Sequence, residues 1–101
     1  MAWKVTHSYI EDATWGKKAK YVKYGPRNIT DDQKASLDQG TGDTFKLYDD
    51  DDELYYIGIW DGLESEDEDV AFGPLMDFGM PNSGAVRMDY YDKNKKVWCE
   101  L

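Results

Sequence analysis

Residues 44–48 (TFKLY) and 54–60 (LYYIGIW) are the segments richest in β-branched and aromatic side chains, and only five residues separate them. Such side chains fit the pleated, half-buried surface of a sheet. Two of these runs joined by a short polar connection read as an antiparallel hairpin. The connection is Asp49, Asp50, Asp51, Asp52 and Glu53. Five adjacent carboxylates repel one another, so this loop belongs at a solvated tip and not in a core.

The rest of the chain offers partners for that hairpin. Residues 2–10 alternate, with Trp3, Val5 and His7 on one face and Lys4, Thr6 and Ser8 on the other. Residues 18–24 give a second strand, with Ala19, Tyr21 and Lys23 facing away from Lys20, Val22 and Tyr24. Residues 85–91 alternate again, placing Val86, Met88 and Tyr90 together; residues 92–95 read as a turn and 96–101 as a last strand. A short helix fits residues 28–39. Thr30 is its cap, Asp31 and Asp32 favour the positive end of the helix dipole, and Gln33 stands at capping-box spacing. Residues 70–84, punctuated by glycine and proline, read as an irregular connection packing its aromatics over an open end of the sheet. There, Gly79 suits a positive φ and Pro81 holds Met80 extended. The expected fold is mainly β with one short helix. It is a small antiparallel sheet of about six strands, curled into a barrel or sandwich, in a single domain over residues 1–101.

Charge bounds the partners. Residues 35–92 carry sixteen carboxylates against two cations, Lys46 and Arg87, a net of −14 in a chain whose total is −9. A strongly acidic region repels polyanions and attracts cationic surfaces, so direct binding to nucleic acid or to an anionic membrane is not expected. High charge favours disorder, but four Trp, eight Tyr and three Phe supply the apolar area of a folded core. Cys99 is the only cysteine, so no intrachain disulfide is possible. With no apolar run of membrane-span length and no secretory pattern in residues 1–10, the expected location is the cytoplasm.

Chemical motifs are sparse. His7 is the only histidine and has no cysteine or second histidine near it to form a nucleophile–base pair. Cys99 beside Trp98 reads as an inert thiol in a strand. Counted from Asp49, the calcium-loop pattern needs glycine at the sixth position and glutamate at the twelfth, where this chain has Leu54 and Trp60. There is no phosphate-binding glycine loop. Lys17, Lys18, Lys20, Lys23 and Arg27 form a local basic cluster that reads as a solvated strand face. No catalytic residue, metal site or cofactor is expected.

The candidate partner-binding residues are therefore the acidic ones: Asp49, Asp50, Asp51, Asp52, Glu53, Asp61, Glu64, Glu66, Asp67, Glu68 and Asp69. Carboxylates on alternate strand residues stand roughly 7 Å apart, close to the phosphate step of one nucleic-acid strand. Asp43, Asp77 and Asp89 extend that set. Phe78 and Met80 are either a plug over the sheet or apolar anchors for a partner.

The run Asp50-Asp51-Asp52-Glu53-Leu54-Tyr55-Tyr56, then Pro74-Leu75, Asp77-Phe78-Gly79-Met80-Pro81-Asn82 and Gly84, resembles a group of short uncharacterised acidic proteins of bacteriophages and bacteria. The opening Trp3-Lys4-Val5-Thr6 and Gly25-Pro26-Arg27 fit it too. The group has no assigned activity, so the resemblance implies a phage or bacterial setting and no catalytic residues. The expected function is a non-enzymatic accessory protein. Its acidic face docks on a basic, nucleic-acid-binding host protein as a DNA mimic or inhibitor. The alternative is a small phage structural or assembly module that uses an apolar sheet edge.

Overall fold

The computed structural model describes residues 2–10, 17–40, 42–63 and 71–101. The chain runs β1 (Trp3–Ser8), β2 (Ala19–Gly25), α1 (Asp31–Asp38), β3 (Asp43–Tyr48) and β4 (Leu54–Trp60). A π-helical turn, α2 (Leu75–Gly79), then continues directly into α3 (Met80–Ser83), before β5 (Arg87–Asp92) and β6 (Val97–Glu100). The six strands form one antiparallel sheet in the order β2-β1-β4-β3-β5-β6. That sheet is open: β2 and β6 are edges, so the expected barrel or sandwich is corrected to a single open sheet.

Closure was unnecessary because the segment taken for an irregular connection is helical and covers one face. Strand alternation sends Trp3, Val5, Phe45, Leu47, Tyr56, Trp60 and Met88 to that face, and all of them are buried. Phe78 packs into this core at 4.7 Å from the Tyr56 ring and 5.5 Å from the Trp3 ring, centroid to centroid. Two polar bonds fasten the helical cover. Trp3 Nε1 donates to Asp77 Oδ2 at 3.3 Å, and Asn82 Nδ2 donates to the Tyr56 hydroxyl at 2.9 Å.

Two local expectations in this segment fail for one reason. Gly79 has helical torsions (φ −59, ψ −53) rather than a positive φ, and Met80 is helical (φ −62, ψ −54) rather than extended. The glycine is needed for close approach: a Cβ there would lie 2.9 Å from Leu47 Cδ1 and 3.2 Å from Ala85 Cβ. Contact with the sheet outweighs the local bias imposed by Pro81. Gly84, at φ 76, supplies the left-handed cap instead. Val86, placed in a strand with Met88 and Tyr90, precedes β5 and is exposed.

The short helix forms as read. Thr30 Oγ1 accepts from Gln33 N at 3.2 Å and Gln33 Oε1 accepts from Thr30 N at 2.9 Å, a complete capping box. Helix α1 packs against β1, with Leu37 buried and Asp38 accepting from Lys4 Nζ at 2.7 Å and from the Tyr24 hydroxyl at 2.6 Å.

Candidate functional site

The acidic hairpin tip is built by its first residue. Asp49 is buried, and its Oδ1 accepts from the backbone N–H of Asp51 at 2.9 Å and of Glu53 at 2.8 Å. The Asp49 N–H donates to Glu53 O at 3.0 Å, and Asp52 takes a left-handed φ of 62, which aspartate tolerates. Of the five carboxylates expected to meet solvent together, Asp49 is thus the internal anchor, whereas Asp50, Asp51, Asp52 and Glu53 are exposed. Bonds from the Glu53 N–H, chiefly, hold the Asp49 carboxyl below the ordinary aspartate value of 3.8.

A depressed carboxylate contributes stability that is complete above its unfolded value and is lost as pH falls through the lower folded value. We therefore expect Asp49→Asn to be less stable than the native chain at pH 6. The gap should narrow as urea midpoints are followed to pH values below 3.8, where the Asp49 carboxylate takes up its proton. A pH-independent gap would mean that the Asp49 charge does not hold the turn.

Arg87 works against the tip's charge. It bonds Asp52 through Nη1 and Asp89 through Nε at 3.2 Å, and its guanidinium lies 4.1 Å from the Tyr48 ring centroid. The other cation of the acidic stretch, Lys46, sits 4.0 Å over the Trp98 ring. Both are committed within the chain, so they leave Asp50, Asp51 and Glu53 uncompensated by any ion pair among the described residues. Sequence reading missed these partners. The pairing Tyr48↔Arg87 that delivers the guanidinium joins residues 39 positions apart.

Among the described residues, the next candidate stands away from the tip. Asp61 follows the far end of β4, and seven strand residues put it about 20 Å or more from the turn. Its Oδ1 accepts from the Ala2 N–H at 2.7 Å. Glu64, Glu66, Asp67, Glu68 and Asp69 lie outside the described residues. Of the strand and helix carboxylates proposed to extend the set, Asp89 pairs with Arg87, Asp43 lies 3.7 Å from Lys93 Nζ, and Asp77 accepts from Trp3. Phe78 is buried over the sheet, as the plug reading has it, while Met80 is exposed.

Oxygens of Asp49, Asp50 and Asp51 lie within 4.8 Å of one another. Three carboxylates are fewer ligands than the six to eight that calcium takes, and Asp49 already serves two backbone donors. His7, at the β1 bulge, has its Nδ1 2.9 Å from the Thr6 hydroxyl, which itself donates to Ile57 O. Burial, then Lys18 and Lys20, lower its pKa. No helix among the described residues is long and apolar enough to cross a membrane.

Comparison with protein-family models, with curated proteins and with solved structures finds no match for this chain.

Proposed function

We propose that this chain is a non-enzymatic accessory protein, phage-encoded, whose acidic hairpin tip docks on a basic surface of a host protein. The observation that carries the reading is the construction of the tip. A buried aspartate and a left-handed Asp52 fix the backbone, so Asp50, Asp51, Asp52 and Glu53 are displayed by a pre-formed turn. Pre-organisation removes part of the ordering cost that a floppy acidic loop pays on binding. The distance of Asp61 from the turn favours a compact acidic knob over an extended row of carboxylates. The partner class with the matching surface is a nucleic-acid-binding protein, whose groove is basic for its own ligand.

The test is capture from bacterial lysate with the native chain and with a variant carrying Asp50→Asn, Asp51→Asn, Asp52→Asn and Glu53→Gln, leaving Asp49 intact. The native chain is expected to retain a nucleic-acid-binding protein at low salt and to release it to added DNA. The variant should bind it at least about tenfold more weakly, because exposed charge contacts are what salt and neutralisation remove. Equal capture by both chains would end the tip-docking reading.

A further inference from the structure

Edge strand β2 and the helical cover leave a groove between them. One hollow of about 410 Å³ runs from Lys23 past Gly25 to Arg27, and a second of about 310 Å³ runs from Tyr21 to Lys23. Asp77 and Phe78 line both, so the two hollows adjoin at Lys23. Their inner surface is aromatic. The Phe78 ring lies 6.3 Å from that of Tyr21. The Trp3 indole, bonded to Asp77, lies so close over Gly25 that a Cβ there would strike it. Asp77 and Phe78 both belong to the π-helical turn α2, a rare element found frequently at functional sites.

Strand alternation fixes what meets that groove. Gly25 and Lys23 pair with Trp3 and Val5, which face the cover, so Tyr21, Lys23 and Gly25 share the cover face of β2. Among the described residues, the outer side of β2 pairs with no strand and takes no backbone bond from a turn or loop. A strand added there sets one residue opposite Lys23 on the same face, with Cβ atoms about 5 Å apart. The residues two places to either side of it stand about 7 Å along, beside Tyr21 and Gly25, where the two hollows open. Charge then selects the chemistry. Lys20, Lys23 and Arg27 are exposed and form no ion pair among the described residues. Lysine along an edge discourages a second copy of β2, whose charges are all positive. It complements a carboxylate, and the aromatic hollows on either side complement apolar side chains.

We propose that β2 is a peptide-docking edge. An extended acidic segment of a partner protein adds to it as a strand, with a glutamate or aspartate opposite Lys23 and with apolar side chains two residues before and after seated in the two hollows. Backbone bonds to β2 supply affinity, and the hollows supply selectivity for alternate side chains. Arg27 at the end of the groove and Lys20 on the far face of β2 favour further carboxylates in the same segment. The site is independent of tip docking, and the tip-neutralised variant is expected to bind the segment as the native chain does.

The probe is the end-capped peptide Thr-Leu-Thr-Glu-Thr-Leu-Thr, titrated into the isotope-labelled full chain and followed by amide chemical shifts. The native chain should bind it with a Kd of about 1 mM or tighter, with shifts concentrated in residues 19–27 and 77–82. The peptide Thr-Thr-Leu-Glu-Leu-Thr-Thr turns its leucines to the face opposite the glutamate and should bind about tenfold more weakly. Lys23→Glu, checked for folding by circular dichroism, should weaken the first peptide about tenfold. The same variant should prefer a peptide with lysine in place of the glutamate, reversing the native order. Absence of shifts in β2 at about 1 mM peptide, or shifts gathered on β6 instead, would overturn docking on this edge. Equal binding of the two leucine patterns would overturn the seating in the hollows. A native chain that binds the glutamate and lysine peptides alike would overturn the pairing with Lys23.

Discussion

Gly58→Ala is expected to destabilise this protein severely, against the direction that propensity alone gives. Alanine in place of a strand glycine ordinarily gains stability, roughly 0.5–1 kcal/mol. Gly58 lies in central β4, opposite Val5 on one side and Phe45 on the other. A Cβ there would stand 2.3 Å from Lys4 O and 2.4 Å from Phe45 Cζ. Phe45 is fully buried and makes an edge-on contact with Trp60 at 5.7 Å between centroids, so its ring has nowhere to turn, and the other obstacle is backbone. Overpacking usually costs about 1–3 kcal/mol, and two immovable neighbours place this case at the top of that range or beyond. Urea titration of the variant should show a midpoint far below that of the native chain, or no folded baseline. A variant as stable as the native protein would mean that β1 and Phe45 do not close on β4 in this way.

Trp60→Ala should produce a loss of similar size by the opposite route. Trp60 is fully buried at the end of β4, and its Nε1 donates to Ala71 O at 3.0 Å. That bond joins the last residue of the central strand to the start of the helical cover, across residues 61–70. Truncating a buried tryptophan to alanine costs about 3–5 kcal/mol, a large share of the ~5–15 kcal/mol available to a domain. The thermal midpoint should fall by about 15 °C or more. Trp60→Phe separates the two contributions. It keeps much of the apolar bulk and strands the buried Ala71 carbonyl, so its loss should be smaller, about 1–3 kcal/mol. Equal losses for both variants would mean that the indole hydrogen bond, and not the packing, carries the effect.

Both residues lie in the run where sequence reading was strongest, and neither role was visible there. Gly58 interrupts a strand of large side chains, and nothing local says that a phenylalanine from β3 fills the space above it. The same holds for the helical cover. Gly79 and Pro81 look like turn formers by their neighbours in the chain, yet contact with Leu47 and Ala85 makes the first a packing glycine and draws Met80 into a helix. The acidic tip was legible as a solvated hairpin, but the inward turn of Asp49 was not. An aspartate that caps its own loop has the same letter as four that do not. The basic partner that moderates the tip, Arg87, stands far along the chain and arrives only through the β3–β5 pairing.

What the amino-acid sequence by itself determined is what depends on neighbours a few residues away. This covers the period-2 strands, the Thr30 capping box, the turn at residues 92–95 and the concentration of negative charge between residues 35 and 92. Only the tertiary structure decided that the sheet stays open, that residues 75–83 form its cover, that Asp61 and the acidic tip stand at opposite ends of β4 and that β6 is left with a bare apolar edge. The physical reason is range. Propensity, capping and charge repulsion act over one or two turns of chain, whereas strand order and the face each carboxylate meets follow from burying aromatic side chains contributed by β1, β2, β3, β4 and the helical cover at once.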